Sequence, residues 1–391
     1  MRVEFRRKHR EPQLHTKFDI NEVANIPAHL AFHLNNLQIC KILEPDPHPD
    51  PKLRNAFNAL RIDLGVRPYD PHVIFGGKRI FANIRNGDKI LIIRKYGGFG
   101  DILICSYLLS VIHEKYPDNE LTFSTPTGHH EWFRGIPWLK LIKYDGVFEN
   151  YRQIRGGVIQ SEVADRYDIV EDVSTPCHIW ESLFGGFGFD KNGLKWQNRI
   201  EIWGHWIGIN NIKNPKSCIK IRNKEIKDAR DKYVPELNGK PLCILAPMSA
   251  LKEKNYPYYR QIENELSSKY RVIYMAYPEQ IPGAIKTKTL REMTALVGAA
   301  DLVVAVDSAI MHAAAVMNRP CVGIFNINDG ETYCKFYPTV HPVQLCDTPC
   351  IMKRAHECDA NGKRVDQICY RPNSVTTVMA KVRIIERKYK L

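Results

Sequence analysis

The sequence predicts an α/β protein of two doubly wound domains facing each other across a cleft, behind an N-terminal extension. Three observations predict it. Short apolar runs alternate with segments of helical spacing, the mark of parallel sheets crossed over by helices. The pattern occurs twice, in residues 76–215 and 216–391, and the polar, proline-containing stretch NNIKNPKS (210–217) lies at the join. The chain has 391 residues, 44% hydrophobic and 25% charged, which suits a packed protein of two or three domains at roughly 100–200 residues each.

Residues 1–75 read as an irregular, basic extension. EPDPHPDPKL can form neither regular helix nor central strand. AHLAFHLNNLQICKIL is compatible with a helix, and Arg2, Arg6, Arg7, Lys8 and Arg10 make a basic start. No catalytic motif falls here.

The first domain then opens. KILIIR (89–94) is a buried strand, KYGGFGD (95–101) a glycine-rich turn, and Ile102, Cys105, Leu108, Leu109 and Ile112 mark one face of a helix. NELTFST (119–125) completes a βαβ unit, and YDIVEDV (167–173) is a further strand. In the second domain, NKEIKDARDKYV (223–234) is a helix. PLCILAPMS (241–249) and YRVIYMAYP (270–278) are strands that run into loops. TLREMTALVGAA (289–300) is a helix, and residues 301–326 read strand, tight turn, helix, strand. A closing helix over 374–390 puts Val375, Val378, Met379, Val382 and Ile385 on one face. In such sheets ligands bind beyond the carboxyl ends of the strands.

Composition narrows the function. No run approaches the ~20 apolar residues of a membrane-spanning helix, and MRVEFRRKHREPQLH has no apolar stretch behind its basic residues, so it is not a secretory signal. The reading is a cytoplasmic protein. Its 56 Lys plus Arg against 43 Asp plus Glu give a net charge of +13, which favours a polyanionic partner without choosing one.

Three constellations carry chemistry. Gly97, Gly98 and Gly100 with Asp101 lie between a strand and a helix, where glycines let backbone N–H groups approach an anion. The pattern is neither GxGxxG nor GxxxxGK[ST]. Asp101 reads either as a helix-capping carboxylate or as a general base. Asp307, Ser308 and His312 follow an apolar strand and open an alanine-rich helix. Ser308 and the helix N-terminus suit a diphosphate, while a lone histidine such as His312 is more often structural. Finally, the loop 247–257 after the strand at 241–246 carries Ser249, Lys252 and Lys254. Its lysines are either solvated or placed to neutralise a leaving phosphate.

The eleven cysteines divide in two. Cys40, Cys105, Cys177, Cys218, Cys243, Cys321 and Cys334 are scattered; several lie in apolar runs and read as buried thiols. Cys346, Cys350, Cys358 and Cys369 cluster, with His356 among them. Four thiolates are enough for a structural zinc. The spacing lacks paired C-x₂-C knuckles, so free or partly paired thiols are the other reading.

Two stretches resemble one family. GGFGDILICSYLLSVIHEKYPDNELTF is similar to the opening of the heptosyltransferase-like glycosyltransferases (family 9, GT-B fold), and LREMTALVGAADLVVAVDSAIMHAAAVMNRPCVGIFNIND to their donor-binding region. The likeness spans roughly residues 88–380. It implies two Rossmann-like domains, the first holding the acceptor and the second a nucleotide-diphosphate sugar. It also implies inversion, no cofactor or metal in catalysis, and a cleft that closes to exclude water. Position by position, Asp101 would be the base that deprotonates the acceptor hydroxyl. Asp307, Ser308 and His312 would meet the sugar and diphosphate, Lys254 (less directly Lys252) and Ser249 the phosphates, and Glu279 the ribose. Cys346 to Cys350 resembles a Cys-x-x-Pro-Cys run of related transferases. Ala309 stands where the family has Gly, and Asn326-Ile327-Asn328-Asp329 where it has Gly-Pro-Thr-Asp/Glu.

The family's usual acceptor is the phosphorylated inner core of lipopolysaccharide, reached at the inner membrane. Hydroxymethylated DNA, as with viral base-modifying sugar transferases in an infected cell, is a second anionic acceptor that suits the charge. A non-catalytic nucleic-acid-binding protein on a degenerate GT-B fold is the non-enzyme alternative. The joint presence of Asp101, Lys254, Asp307 and His312 argues against it.

Overall fold

The computed structural model describes residues 84–94, 98–143, 166–173, 198–209, 211–251, 254–277, 279–345 and 374–391, together with the backbone of five short strands before residue 45. Gly97, Lys252 and the four clustered cysteines lie outside the described residues.

The expectation of an irregular extension is corrected within its first 44 residues. β1 (Arg2–Phe5) pairs antiparallel with β4 (Val23–Asn25) and β5 (Cys40–Glu44), and β2 (His9–Glu11) with β3 (Thr16–Phe18). β5 falls at the end of the stretch that spacing makes helix-compatible. So short a stretch suits either state, and pairing to β1, with Val3 opposite Ile42 and Phe5 opposite Cys40, decides for strand.

The N-terminal half is built on β6 (Lys89–Ile93), whose residues 90–93 are all buried, as expected of a strand covered on both faces. Helix α1 (Phe99–Lys115) leads to β7 (Glu120–Thr125). A 3₁₀ segment (Thr127–Phe133), β8 (Leu139–Lys143) and β9 (Ile169–Asp172) complete the half, and the 3₁₀ segment and β8 are elements the sequence pattern does not announce. All strand pairs are parallel, in the order β8-β7-β6-β9. The order reverses beside β6, so the Gly-Asp turn sits at the sheet's switch point.

The C-terminal half follows α2 (Arg199–Ile207) and α3 (Asn223–Tyr233). It comprises β10 (Leu242–Ala246), α4 (Tyr259–Leu266), β11 (Arg271–Tyr274), α5 (Leu290–Gly298) and β12 (Leu302–Val306). After these come α6 (Ala309–Val316), β13 (Cys321–Phe325), α7 (Gly330–Cys334), β14 (Val340–Gln344) and the closing α8 (Ser374–Tyr389). The five strands are parallel in the order β11-β10-β12-β13-β14. The switch point falls between β10 and β12. The loops after those two strands carry Lys254 and Asp307.

Alternation along β10 and β12 divides the core. Ile244, Ala246, Val303 and Ala305 face one apolar cluster; Cys243, Leu245, Val304 and Val306 face another, capped by Val378, Val382 and Ile385 of α8. The first cluster runs without a break into the N-terminal half through Ile90, Leu103 and Leu108. This explains why α1 is buried beyond one face, with Ile104, Ser106 and Tyr107 inside as well as the spaced apolar residues. It lies between its own sheet and α6 of the other half, so two stripes are covered rather than one.

Polar contacts lock the same joint. The indole N–H of fully buried Trp132 donates to Leu290 O (3.0 Å) and Thr294 Oγ1 (2.8 Å). Glu131 Oε1 accepts from Leu290 N (2.6 Å) at the start of α5, and Arg291 returns a bond to Glu131 O (3.0 Å) while pairing with Glu225. Ser217, in the polar stretch at the join, lies 2.6 Å from Ser106 of α1, oxygen to oxygen.

Candidate active site

Asp101 is the third residue of α1, and its position makes both readings of it visible. Oδ2 accepts the backbone N–H of the N-cap residue Gly98 at 2.8 Å, as a capping carboxylate does. The same carboxylate is ion-paired to Arg199 through Oδ1, and Arg94 Nη2 stands 3.6 Å from Oδ2. Arg94 is 2% exposed and fixed: it donates to Val173 O (2.6 Å) and lies over the Trp203 ring, 4.9 Å from its centroid. Asp101 keeps 13% of its side chain open.

The C-terminal half brings a second carboxylate. Asp307 directly follows β12 and is buried. Lys254 Nζ donates to Oδ2 at 2.7 Å, Asn328 Nδ2 donates to the same oxygen at 2.5 Å, and His312 Nε2 lies 3.6 Å from Oδ1. Burial works against the charge on Asp307, but the Lys254 ammonium and His312 outweigh it and hold the carboxyl well below the usual carboxylate range. Burial lowers His312 below its ordinary value against the pull of Asp307. His312 Nδ1 lies 3.0 Å from the Tyr337 hydroxyl, whose own pKa burial raises far above the ordinary value.

Lys254 reaches Asp307 because its loop is folded back. Asn255 Oδ1 accepts from Ser249 N (2.7 Å), Tyr256 N donates to Pro247 O (2.9 Å), and Lys254 N donates to Leu251 O (3.0 Å). Ser308 is the N-cap of α6 yet makes no capping bond. Its Oγ is buried and finds no partner among the described residues, at a helix end where unpaired N–H groups favour an anion.

The two halves meet at Gly100 and His312. A Cβ on Gly100 would stand 2.6 Å from His312 Cδ2, closer than atoms can approach. The glycine of the Gly-Asp turn is therefore a point of contact between the two halves, where the start of α1 meets the His312 ring of α6.

Of the residues singled out by sequence, Gly98, Gly100 and Asp101 gather at the start of α1. Ser249, Lys254, Asp307, Ser308 and His312 gather at the switch point of the second sheet. Glu279 is exposed on the turn beyond β11 and makes no bond with the Asp307 group among the described residues. Sequence reasoning passed over Arg94, Asn198, Arg199, Asn328 and Tyr337. Only Asn328 left a signal: it lies in the 326–329 run, where the sequence departs from the family pattern, and that departure supplies Asp307 with a donor.

Among the described residues no group of three or more His, Cys, Asp or Glu side chains could hold a metal ion. None of the described helices is long and apolar enough to cross a membrane.

Residues 207–363 match the model of glycosyltransferase family 9 (heptosyltransferase). The structure is similar to a family 9 glycosyl transferase from Veillonella parvula, with TM-score 0.58 and 15% identity over 78% of this chain and 99% of that one. It is similar also to the ADP-heptose lipopolysaccharide heptosyltransferase II of E. coli, with TM-score 0.53 and 15% identity over 78% and 100%. The dodecameric, iron-containing glycosyltransferase TibC of enterotoxigenic E. coli gives TM-score 0.54 and 13% identity over 78% and 77%. No curated protein sequence matches the chain. The sequence likeness to the heptosyltransferase-like transferases is thus met at two levels: a match to the family 9 model over residues 207–363, and a similar fold across both halves.

Proposed function

We propose that this chain, a glycosyltransferase with a family 9 domain, moves a sugar from a nucleotide-diphosphate donor to a hydroxyl of an anionic acceptor, with inversion. The observation that carries the reading is the meeting of Gly100 and His312, which sets Asp101 of one half against the Asp307–Lys254 group of the other. The first half (76–215) receives the acceptor and the second (216–391) the donor; that division, and the extension over 1–75, are part of the proposal.

The donor diphosphate rests on the N-terminus of α6, where Ser308 Oγ has no partner among the described residues. Lys254 is shared between Asp307 and the phosphates. Asp101 takes the acceptor proton as the acceptor oxygen bonds to the anomeric carbon. The bond from that carbon to the diphosphate breaks, and the leaving charge falls on fixed donors, where it is stabilised most. Asp307 is buried beneath Lys254 and Asn328 and orients the sugar; Asp101, which keeps 13% of its side chain open, is the base. Glu279 as a ribose contact would need the turn beyond β11 to fold inward on binding.

The acceptor is proposed to be the lipopolysaccharide inner core, reached by a protein acting at the inner membrane surface. The named activity of the E. coli heptosyltransferase II supports this choice. Modified DNA is the competing outcome. Several nucleotide sugars, ADP-heptose among them, are offered with lipid-core and hydroxymethylated-DNA acceptors, and products are read by mass spectrometry. Transfer to the lipid core is expected, with Asp101→Asn reducing it at least 100-fold, within the range of a lost general base. Transfer only to DNA overturns the acceptor, and full activity of Asp101→Asn overturns the base. Cys346, Cys350, Cys358 and Cys369 are proposed to hold a structural zinc. Less than about half an equivalent of metal in purified protein would sink that.

A further inference from the structure

We propose that Arg199 is a positioning residue that ties the base Asp101 to the donor-binding half and keeps its carboxylate ionised as the site dries. This rests on the role given to Asp101 above.

Among the described residues, two arginines flank Asp101. Arg94, just after β6, donates to Val173 O and lies over the Trp203 ring of α2. Arg199 opens that same α2, which packs on α1 and is fastened to the other half as well. Asn198 donates to Thr332 O (2.9 Å) and Tyr333 O (3.1 Å) of α7, Lys335 pairs with Glu201, and Arg199 itself lies over the Tyr333 ring, 5.7 Å from its centroid. Asn198 Oδ1 also accepts Ile200 N at 2.9 Å, fixing the start of the helix. The guanidinium on Asp101 is therefore carried by a helix that both halves hold.

Among the described residues, the charged groups around Asp101 are few. Arg94 follows β6 and Arg199 opens α2, Gly98 gives its N–H, and from α6 the His312 ring comes against Gly100, with the Asp307–Lys254 pair behind it. When a nucleotide sugar and an acceptor fill the cleft, water leaves. Desolvation then favours the protonated acid, which cannot act as a base. A contacting cation opposes this. Because the helix that delivers it is pinned to α7, the base is fully readied only while the donor half is in place.

The test uses the full chain labelled with aspartate carrying ¹³C at the carboxyl, with the Asp101 signal assigned by its loss in Asp101→Asn. Arg199→Gln is expected to raise the titration midpoint of Asp101 by about one pH unit, the scale of one contacting opposite charge. Asn198→Ala, which keeps Arg199 but loosens the start of α2, is expected to raise it by about half as much. It stands in if Arg199→Gln does not fold. A midpoint that moves by less than about 0.3 unit in the folded variants overturns the inference, because a merely structural role would not move this signal. The base assignment is judged separately by transfer in Asp101→Asn, so either reading can fail alone.

Discussion

Gly100 and His312, 212 positions apart in the chain, are packed so closely that a single methyl group does not fit between them. Gly100 belongs to the turn that presents the proposed base, and His312 to the helix that receives the proposed diphosphate. Replacing Gly100 by Ala must push the imidazole away from Asp307 or part the two halves. His312 is held by Tyr337 and buried, so it has little room to yield. Gly100→Ala is expected to lower thermal stability by about 1–3 kcal/mol and transfer by at least about tenfold, read by calorimetry and by the donor–acceptor assay.

Lys254 and Asp307 form a nearly buried ion pair, 14% and 6% exposed. Removing one member leaves the other charge uncompensated. Lys254→Met is expected to cost about 3 kcal/mol in urea unfolding. Combining it with Asp307→Asn should recover a good part of the loss, since the orphaned charge is then gone.

Asn328 is the second donor to Asp307. Asn328→Ala removes one hydrogen bond to a charged acceptor, which points to a loss of about 1.5–3 kcal/mol. Asn328→Asp should be worse than Ala, because it sets two carboxylates against each other. Parallel urea titrations give the order.

The joint between the halves makes stability depend on pH. The bond from Arg291 to Glu225, set against partial burial, holds that carboxyl down to about 2. A depressed carboxyl contributes stability that is full above its unfolded value near 4.5 and is lost as pH falls toward 2. Asp307 acts in the same direction. Arg291→Gln should therefore be clearly less stable than wild type at pH 7, and the gap should narrow as pH drops from 5 to 3. Melting curves across that range decide it; a gap that stays constant would remove Glu225 from the account.

Much of the fold is legible in the chain because its strands are short, continuous apolar runs closed by glycine or polar turns. KILIIR, PLCILA and LVVAV each emerge as strands within a residue or two of where spacing puts them. The site's two motifs are legible for a related reason: each is a strand–turn–helix junction with residues out of place in a core. Arg199 and Asn198 are not legible. They lie in WQNRIEIW, which has no motif, and they acquire meaning only when α2 docks on α7 more than a hundred residues later. Arg94 reads as the polar end of a strand until Asp101 is seen beside it. The five strands of the extension escape notice because runs of three to five residues carry no period of their own.

The bond from Trp132 to Thr294 bears on how such a protein can be re-engineered. Two sheets with separate duties invite exchange, one acceptor half for another, as with modular cassettes. Here the indole of the first half fills a seat in the second, and both drain into one continuous interior. A chimera joined at the polar stretch near 215 would carry an unfilled seat and two raw apolar faces. Exchange would succeed only for a graft that carries its own side of the seam: α1, the 3₁₀ segment and the matching surface of α5.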